Sequence, residues 1–303
     1  MKKSNTPGLV LFALQSIGLI AGSAATSLLS QHNTLAAIAT AALTSVALLM
    51  FFPSLHESGH RTAFATKRLN DVVCWISAIL MLQSPSFFRE FHGQHHRETQ
   101  DPETDPEICE APEYLDGWPP NIVIYLGLAC GQLLMMGKLM FTAACSLIAG
   151  EEMWTKLFPF IRARKRAQIA RESRLVLLVL TAITAAGITW VPGFGYVLLA
   201  WPLAHLWLGF YLMPEHTGLP NDGSQLHRTR TVKSNALVRW MMWNMPYHAL
   251  HHAHPAIPFH AVPEANARIA DDLEHVSSGY IAFHIEALGR SLGLWRDPTP
   301  GEK

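Results

Sequence analysis

Histidine is the residue type whose spacing in this sequence most clearly indicates chemistry. Nine of the 16 histidines lie in four short clusters: HESGH at 56–60, HGQHH at 92–96, PEHTG at 214–218 and HALHH at 248–252. The nine are His56, His60, His92, His95, His96, His216, His248, His251 and His252. A spacing of four residues places two imidazoles on one helix face. Neutral imidazole suits iron, zinc, copper and nickel, and nine ligands are too many for one tetrahedral zinc ion. The clusters therefore predict a shared site for two metal ions with open coordination positions.

A metal-bound imidazole usually donates its second N–H group to a nearby acceptor. Six polar side chains beside the clusters are candidates for this role: Glu57, Asp101, Glu103, Asp105, Glu215 and Asn244. For those in DPETDPE at 101–107, solvated loop charges are an equally open interpretation. His254 and His260 are expected to be structural or hydrogen-bonded to the site. His205 lies roughly 16 Å before His216 along a straight helix, too far to share a metal ion, and is expected in a polar network within the membrane.

Long apolar segments separate these clusters. Hydrophobic residues make up 50% of the chain and charged residues only 15%. The apolar runs cover residues 8–29, 34–53, 72–88, 121–149, 174–190 and 194–213. Because a helix of roughly 20 apolar residues can cross a bilayer, the chain is predicted to be an all-α integral membrane protein. We treat residues 1–303 as one domain, because no repeat or flexible linker interrupts them.

The cations predict how the apolar runs are arranged. Lysine and arginine mark the N-terminus, the two polar middle segments and the C-terminal third as cytoplasmic, by the positive-inside rule. The runs 72–88 and 121–149 then cannot each make one full crossing. Pro85 interrupts the first, and Gly131, Gln132, Gly137 and Lys138 lie near the middle of the second. We therefore expect four spans in two hairpins, 8–29 with 34–53 and 174–190 with 194–213, two interfacial or re-entrant segments, and a cytoplasmic histidine-rich cap.

The histidine clusters, interleaved with membrane hairpins, resemble the membrane fatty-acid desaturase and hydroxylase family. The resemblance covers nearly the whole chain and is weakest before residue 50. It implies a non-haem di-iron centre, with all nine clustered histidines as iron ligands, and an O2-dependent attack on an unactivated C–H bond. The segment WNMPYHALHHAHPAIPFHAVPEAN at 243–266 is most similar to a bacterial branch. That branch includes rhizobitoxine- and rhizopine-pathway desaturase-like proteins and the alkene-forming fatty-acid decarboxylase. Many relatives carry glutamate, a possible carboxylate partner, where this chain has Leu250.

The resemblance implies a fatty acyl or similar lipid-like substrate and most favours desaturation. Terminal-alkene-forming decarboxylation and hydroxylation are the alternatives within the family. The sequence contains no haem, flavin, nicotinamide or iron–sulfur motif, so an external donor such as ferredoxin with its reductase is expected. The basic stretch 156–174 suits either an acidic partner or anionic lipid. The expected location is the bacterial inner membrane, with the histidines on its cytoplasmic side.

Two other classes of protein are weaker interpretations. HESGH also matches HExxH, the zinc-binding helix of metalloproteases, and LPNDG at 219–223 faintly resembles the aspartate motif of intramembrane zinc proteases. This interpretation leaves both HxxHH clusters without a role. A metal transporter would place its ligands near the middle of the bilayer, whereas these histidines lie at the ends of the apolar runs. With a net charge of zero and no basic surface interleaved with aromatic residues, no nucleic-acid partner is expected.

The cysteines predict neither disulfides nor a thiolate metal site. Cys74, Cys109, Cys130 and Cys145 include no CxxC pair, and three of them lie in apolar runs. We expect them to be small buried residues.

Overall fold

The computed structural model describes residues 2–108 and 117–295, and this part of the chain is almost entirely helical. The helices are α1 (Thr6–Ser30), α2 (Thr34–Leu49), α3 (Phe51–His60), α4 (Lys67–Leu80), α5 (Pro85–Glu98), α6 (Ile122–Ala129), α7 (Gly131–Ala149), α8 (Glu152–Leu157), α9 (Ala163–Trp190), α10 (Phe194–Leu198), α11 (Ala200–His216), α12 (Ala236–Met241), α13 (His248–Ala253), α14 (Val262–Arg268) and α15 (Tyr280–Ser291). Two single-turn 3-10 helices lie at Phe259–Ala261 and Ala270–Asp272. The strands β1 (Thr231–Val232) and β2 (Val276–Ser277) pair in parallel.

α1 and α2 form an antiparallel hairpin with small and polar residues at its interface. Gly22 of α1 lies so close to α2 that an added Cβ would meet the Thr44 Oγ1 atom at 2.5 Å. The Thr26 and Thr44 hydroxyls are 3.4 Å apart, and the Gln15 amide donates to the Ser54 hydroxyl on α3. Small residues allow close backbone approach in membranes, where interhelical hydrogen bonds also hold helices together. The first predicted hairpin is therefore present.

The second predicted hairpin runs from α9 through a tight turn into α10 and α11. Gly193 in this turn has a φ of +67°, a left-handed conformation that glycine adopts without strain. The Ser27 hydroxyl at the end of α1 donates to the Pro192 carbonyl, so the turn lies against the loop end of the first hairpin. The opposite ends of both hairpins carry the histidines.

Five helices in the described ranges are long and apolar enough to cross a membrane: Thr6–Ser30, Thr34–His60, Gly131–Ala149, Ala163–Trp190 and Phe194–His216. Four of them are the predicted spans, and the all-α membrane fold is confirmed. The fifth, Gly131–Ala149, was predicted to be interfacial or re-entrant. By length and composition it is also a candidate span. The described ranges therefore contain five candidate spans, one more than the sequence predicted.

α4 and α5 account for the other interrupted run. The two helices meet at an angle of 95°, and the bend lies where Pro85 was predicted to end a regular helix. The Ser84 hydroxyl accepts the Phe87 backbone N–H and caps the start of α5. This new start directs α5, with its three clustered histidines, across the ends of the spans.

Short backbone contacts hold the C-terminal segment against the end of α11. The Arg230 N–H donates to the Glu215 carbonyl, and the Val232 N–H in β1 donates to the Pro246 carbonyl. β1 also contacts β2, because the Thr231 N–H donates to the His275 carbonyl. These contacts bring α13, the helix with the last histidine cluster, beside the end of α11.

The cysteines of the described residues form no disulfide. Cys74 is buried, and Cys74, Cys130 and Cys145 are free thiols; Cys109 lies outside the described residues.

In the basic stretch, the Arg162 guanidinium donates two hydrogen bonds of 2.5 and 2.6 Å to the buried Glu90 carboxylate on α5. Glu90 is 8% exposed. Arg162 therefore holds α5 in place, a role separate from any docking function of this stretch.

Replacing Arg162 by glutamine is expected to lower the free energy of unfolding by about 1–2 kcal/mol. The variant leaves the Glu90 carboxylate buried without its cation, although the half-exposed arginine keeps the loss below that of a fully buried pair. Thermal melting in detergent measures the effect, with exposed Arg164→Gln as the matched control. Equal melting temperatures for the two variants would show that the Arg162–Glu90 pair adds nothing to stability.

Candidate metal centre

The nine clustered histidines come from four helix segments at one end of the spans. His56 and His60 lie in the last turns of α3, which ends where Arg61 adopts a left-handed φ of +61°. Three more are on α5, and His216 is the last residue of α11. The remaining three are on α13, where the chain has been redirected by Trp243 and Asn244, both with positive φ. The structure brings all nine together.

These histidines form two groups, each compact enough to hold a metal ion. The first consists of His56, His60, His92, His96 and His251, and the second of His95, His216, His248 and His252. Within each group, one nitrogen from every ring lies within 4.8 Å of the others. The groups are adjacent, because the rings of His96 and His252 stack with centroids 4.1 Å apart. Two adjacent groups of this size are what the predicted site for two ions would require.

The Nε2 atoms point inward, toward one another. In the first group, the His96 Nε2 atom lies 3.0 Å from that of His92 and 3.1 Å from that of His251. In the second, the His248 and His216 Nε2 atoms are 2.9 Å apart. Among the described residues, the buried Nε2 atoms of His56, His60 and His252 have no hydrogen-bond partner. Buried polar atoms are normally paired, so this set of converging nitrogens fits a pair of metal ions.

Three of the six predicted acceptors lie beside Nδ1 atoms of these rings. The Glu57 carboxylate is 3.1 Å from His56 Nδ1 and also accepts the Thr62 hydroxyl. Both Asp105 oxygens are 3.0 Å from His95 Nδ1. The Glu215 carboxylate lies 3.4 Å from His248 Nδ1. An acceptor at Nδ1 keeps the proton there and leaves the Nε2 lone pair free for a metal.

The other three predicted acceptors make different contacts. One Asp101 oxygen accepts the backbone N–H groups of Glu103 and Thr104 and caps a turn. Glu103 is exposed. The Asn244 amide donates to the Phe259 carbonyl. For Asp101 and Glu103, the interpretation as loop charges accounts for their positions.

Two acceptors were not among the sequence candidates. The Arg228 backbone carbonyl is 3.2 Å from His216 Nδ1, and the Thr99 hydroxyl is 3.2 Å from His252 Nδ1. Because Thr99 donates its own proton to the His95 carbonyl, its oxygen is free to accept from His252. A backbone carbonyl has no sequence signal. Thr99 lies four residues after His95, a spacing that lets its hydroxyl reach the His95 carbonyl. That spacing is only a weak sequence signal for the contact with His252.

Comparison with known proteins identifies the family of this chain. The family model described as "Fatty acid desaturase" matches residues 33–284, a range that includes all nine clustered histidines. The chain belongs to the fatty acid desaturase family. It is also 25% identical over 235 residues to the sn-1 oleoyl-lipid 12-desaturase of Arthrospira platensis, a match that covers 72% of this chain and 63% of that protein. The expected family resemblance is therefore confirmed.

The three histidines that α13 contributes to the site of this desaturase-family chain are held in the form that binds metals. Burial, followed by the charges of neighbouring imidazoles, lowers the pKa of His248, His251 and His252 well below the usual value for histidine. All three rings are therefore neutral at pH 7. Only a neutral imidazole has a lone pair to give to a metal ion.

Four other residues discussed from the sequence lie outside both histidine groups: Leu250, His254, His260 and His205. Leu250 is buried and packs with Val262 and Ala265 in an apolar cluster, so the position where the family resemblance implied a carboxylate faces apolar side chains here. His254 is exposed and His260 is half-buried. The His205 ring is buried and bonds the Trp201 carbonyl, one turn earlier in α11.

Two adjoining cavities lead to the histidine groups. The larger, of about 440 Å³, lies between α6, α7 and α11, and its lining includes His216 of the second group. The smaller, of about 40 Å³, reaches His92 of the first group and also contacts His205. Phe91, Met135 and Leu212 line both cavities. Mostly apolar walls ending at polar groups are typical of small-molecule sites.

Proposed function

We propose that this protein is a membrane oxidoreductase that uses two iron ions and O2 to introduce a double bond into a fatty acyl or similar lipid-like chain. The observation that carries the proposal is the junction between the mostly apolar cavity and the two histidine groups. An alkyl chain in the larger cavity would lie beside His216 of one group, and its extension into the smaller cavity would reach His92 of the other. Membership of the fatty acid desaturase family supports the same reaction class.

The five histidines of the first group and the four of the second are the proposed iron ligands. Two bound iron ions would supply the O2 activation that cleavage of an unactivated C–H bond requires and that side chains cannot provide. The donor set contains only imidazoles, which suit iron. Five and four nitrogens would hold two ions without filling every coordination position, which would leave room for O2 to bind.

The protein's own groups hold this site in its working form. Glu57 and Asp105 accept Nδ1 protons, and the Glu215 carboxylate lies beside His248 Nδ1, which favours one tautomer and orientation of these rings. The apolar cavity walls, including Met135 and Leu212, exclude water and align the chain. Which hydrogen faces the irons decides among desaturation, hydroxylation and loss of the carboxyl group as CO2 to form a terminal alkene, and we favour desaturation.

The contacts of Glu57 argue against a zinc protease. In an HExxH site this glutamate acts as a base on metal-bound water. Here its carboxylate contacts His56 Nδ1 and the Thr62 hydroxyl, on the side of the His56 ring away from Nε2. Asp222, from the segment that resembles the protease aspartate motif, has a side chain that is 87% exposed and lies beside His227.

We further propose that the end carrying the histidines faces the cytoplasm of a bacterial inner membrane. Lys3 donates to the Arg61 carbonyl at this end, and the basic stretch 156–174, which includes the start of α9, lies at the same end, in keeping with the positive-inside rule. The electron donor would be a soluble protein such as ferredoxin, supplied by its reductase. An acidic donor would be attracted to the exposed cations of this stretch.

The test compares the fatty acids and headspace hydrocarbons of a host expressing the protein together with ferredoxin and its reductase. His251→Ala removes a nitrogen from the first group, whereas His254→Ala removes an exposed histidine two residues beyond His252. New double bonds are expected with the wild type and His254→Ala and not with His251→Ala. If hydroxy acids appeared instead, the reaction would be hydroxylation. If terminal alkenes appeared instead, it would be decarboxylation. Equal products from both variants would refute the metal centre.

A further inference from the structure

A third cluster of potential metal ligands lies outside the proposed iron centre. It consists of His227, Glu274 and His275, whose ligand atoms lie within 4.8 Å of one another. The His227 Nδ1 atom is 2.5 Å from a Glu274 carboxylate oxygen. The rings of His227 and His275 are 5.4 Å apart between centroids. Two imidazoles and one carboxylate therefore converge from two distant parts of the chain.

The His275 ring shows that this cluster is more than a surface ion pair. Its Nε2 atom is buried and has no hydrogen-bond partner among the described residues. A buried ring nitrogen without a partner is costly.

The fold brings His227 close to its neighbours. A Cβ atom added to Gly223, whose φ is +80°, would meet the His227 ring at 2.9 Å. Glycine is therefore suited to this position both by its backbone and by the close ring. The Asp222 carboxylate lies 3.9 Å from His227 Nε2 on the solvent side and offers a further oxygen near the cluster.

We propose that His227, His275 and Glu274 bind a Zn²⁺ ion that ties the segment 219–230 to the start of β2. Three nitrogen or carboxylate ligands with water in the fourth position are the set found in catalytic zinc sites, and zinc has no electronic preference for one geometry. That tolerance suits ligands carried by a loop. Small rotations of the partly exposed His227 and Glu274 side chains would close the ligand set around the ion.

A zinc ion at this position would help to hold a loop that contacts the proposed iron ligands. The segment it would anchor contains Arg228, whose carbonyl contacts His216 Nδ1, and Gln225, whose amide donates to the His96 carbonyl. One ligand, His227, directly precedes Arg228. The zinc ion would therefore hold the loop that lies over both histidine groups, and it would do so from outside them.

The experiment measures zinc and iron in the same samples of full-length protein in detergent. Iron-loaded protein is mixed with zinc chloride and desalted, and both metals are counted by mass spectrometry. The wild type is expected to retain one added zinc ion per chain without losing iron. His275→Ala and Glu274→Gln are expected to weaken zinc binding at least about 10-fold, whereas exposed His32→Ala and Asp272→Asn keep it. Equal zinc retention by all five proteins would overturn the site, as would zinc taken up only in exchange for iron.

Hydrogen–deuterium exchange tests whether zinc anchors the segment 219–230. Zinc is expected to slow exchange in residues 219–230 of the wild type and to leave the exchange of His275→Ala unchanged. Zinc binding without this protection would refute the anchoring role. Because these readouts need no turnover, failure of the proposed reaction and failure of the zinc site are distinguishable.

Discussion

Replacing Asp105 by asparagine is expected to lower the affinity for iron, and with it the rate of turnover, by about 10- to 100-fold, the usual effect of losing a partner of a metal ligand. The Asp105 carboxylate is 1% exposed and faces His95 Nδ1 with both oxygens. Asparagine keeps the size and one acceptor oxygen, but its amide nitrogen cannot accept a proton. It also removes the negative charge that favours the Nδ1–H tautomer of His95.

Asp101→Asn is the matched control, four residues earlier in the same segment. Its Oδ1 atom caps a turn by accepting two backbone N–H groups, and the asparagine oxygen can take the same role. Iron content and turnover are therefore expected to stay close to wild type. In Asp105→Asn, the remaining oxygen can still accept the Gln100 or Glu107 N–H group, so the local turn is expected to persist. Unchanged iron content in Asp105→Asn would contradict the role of Asp105 in holding His95.

The same pair of residues shows how far the sequence could predict the site. Histidine spacing predicts the clusters because i, i+4 positions share a helix face. Asp101, Glu103 and Asp105 lie in one acidic segment, and no periodicity distinguishes them there. Only the turn after α5 decides that Asp105 returns to His95, ten residues earlier. The Arg228 carbonyl could not be predicted, because every residue has such a group.

The described ranges contain one candidate membrane helix more than the predicted four, for a related reason. Gln132 and Lys138 argued against a crossing by residues 121–149, because polar groups facing lipid are costly. In the structure both side chains line the larger cavity, and the Lys138 ammonium lies 4.6 Å from the centre of the Phe158 ring. A sequence lists polar residues without showing whether they face lipid or an internal cavity. A helix that lines a cavity can carry them at membrane depth.

The walls of the larger cavity depend on glycines in two different ways. Gly209 on α11 allows close contact with α6, because an added Cβ would meet the Ala129 carbonyl oxygen at 2.1 Å. Gly127 on α6 also lines the cavity, yet a Cβ added there would meet no described atom within 4 Å. A side chain at position 127 can therefore enter the cavity without disturbing the packing of α6.

Gly127→Leu is accordingly expected to narrow the cavity and to reduce turnover of long acyl chains about 10-fold or more, while shorter chains are affected less. A misfit of about one methylene in an apolar pocket already changes discrimination by 10- to 200-fold. Replacing glycine within a helix also favours the helix, so expression and melting temperature should not fall. The measurement is turnover against a series of saturated acyl substrates of increasing length.

Gly137→Leu provides the control for this substitution. Gly137 is on α7, where an added Cβ likewise meets no described atom within 4 Å, but it is exposed and does not line the cavity. This variant should keep the wild-type dependence on chain length. A Gly127→Leu enzyme with the wild-type preference would mean that the acyl chain lies elsewhere, whereas a shift toward shorter chains confined to Gly127→Leu would assign the chain to this cavity. The iron content of both variants should equal that of the wild type, because neither substitution is at a clustered histidine. The length preference therefore reports on the cavity separately from the metal centre.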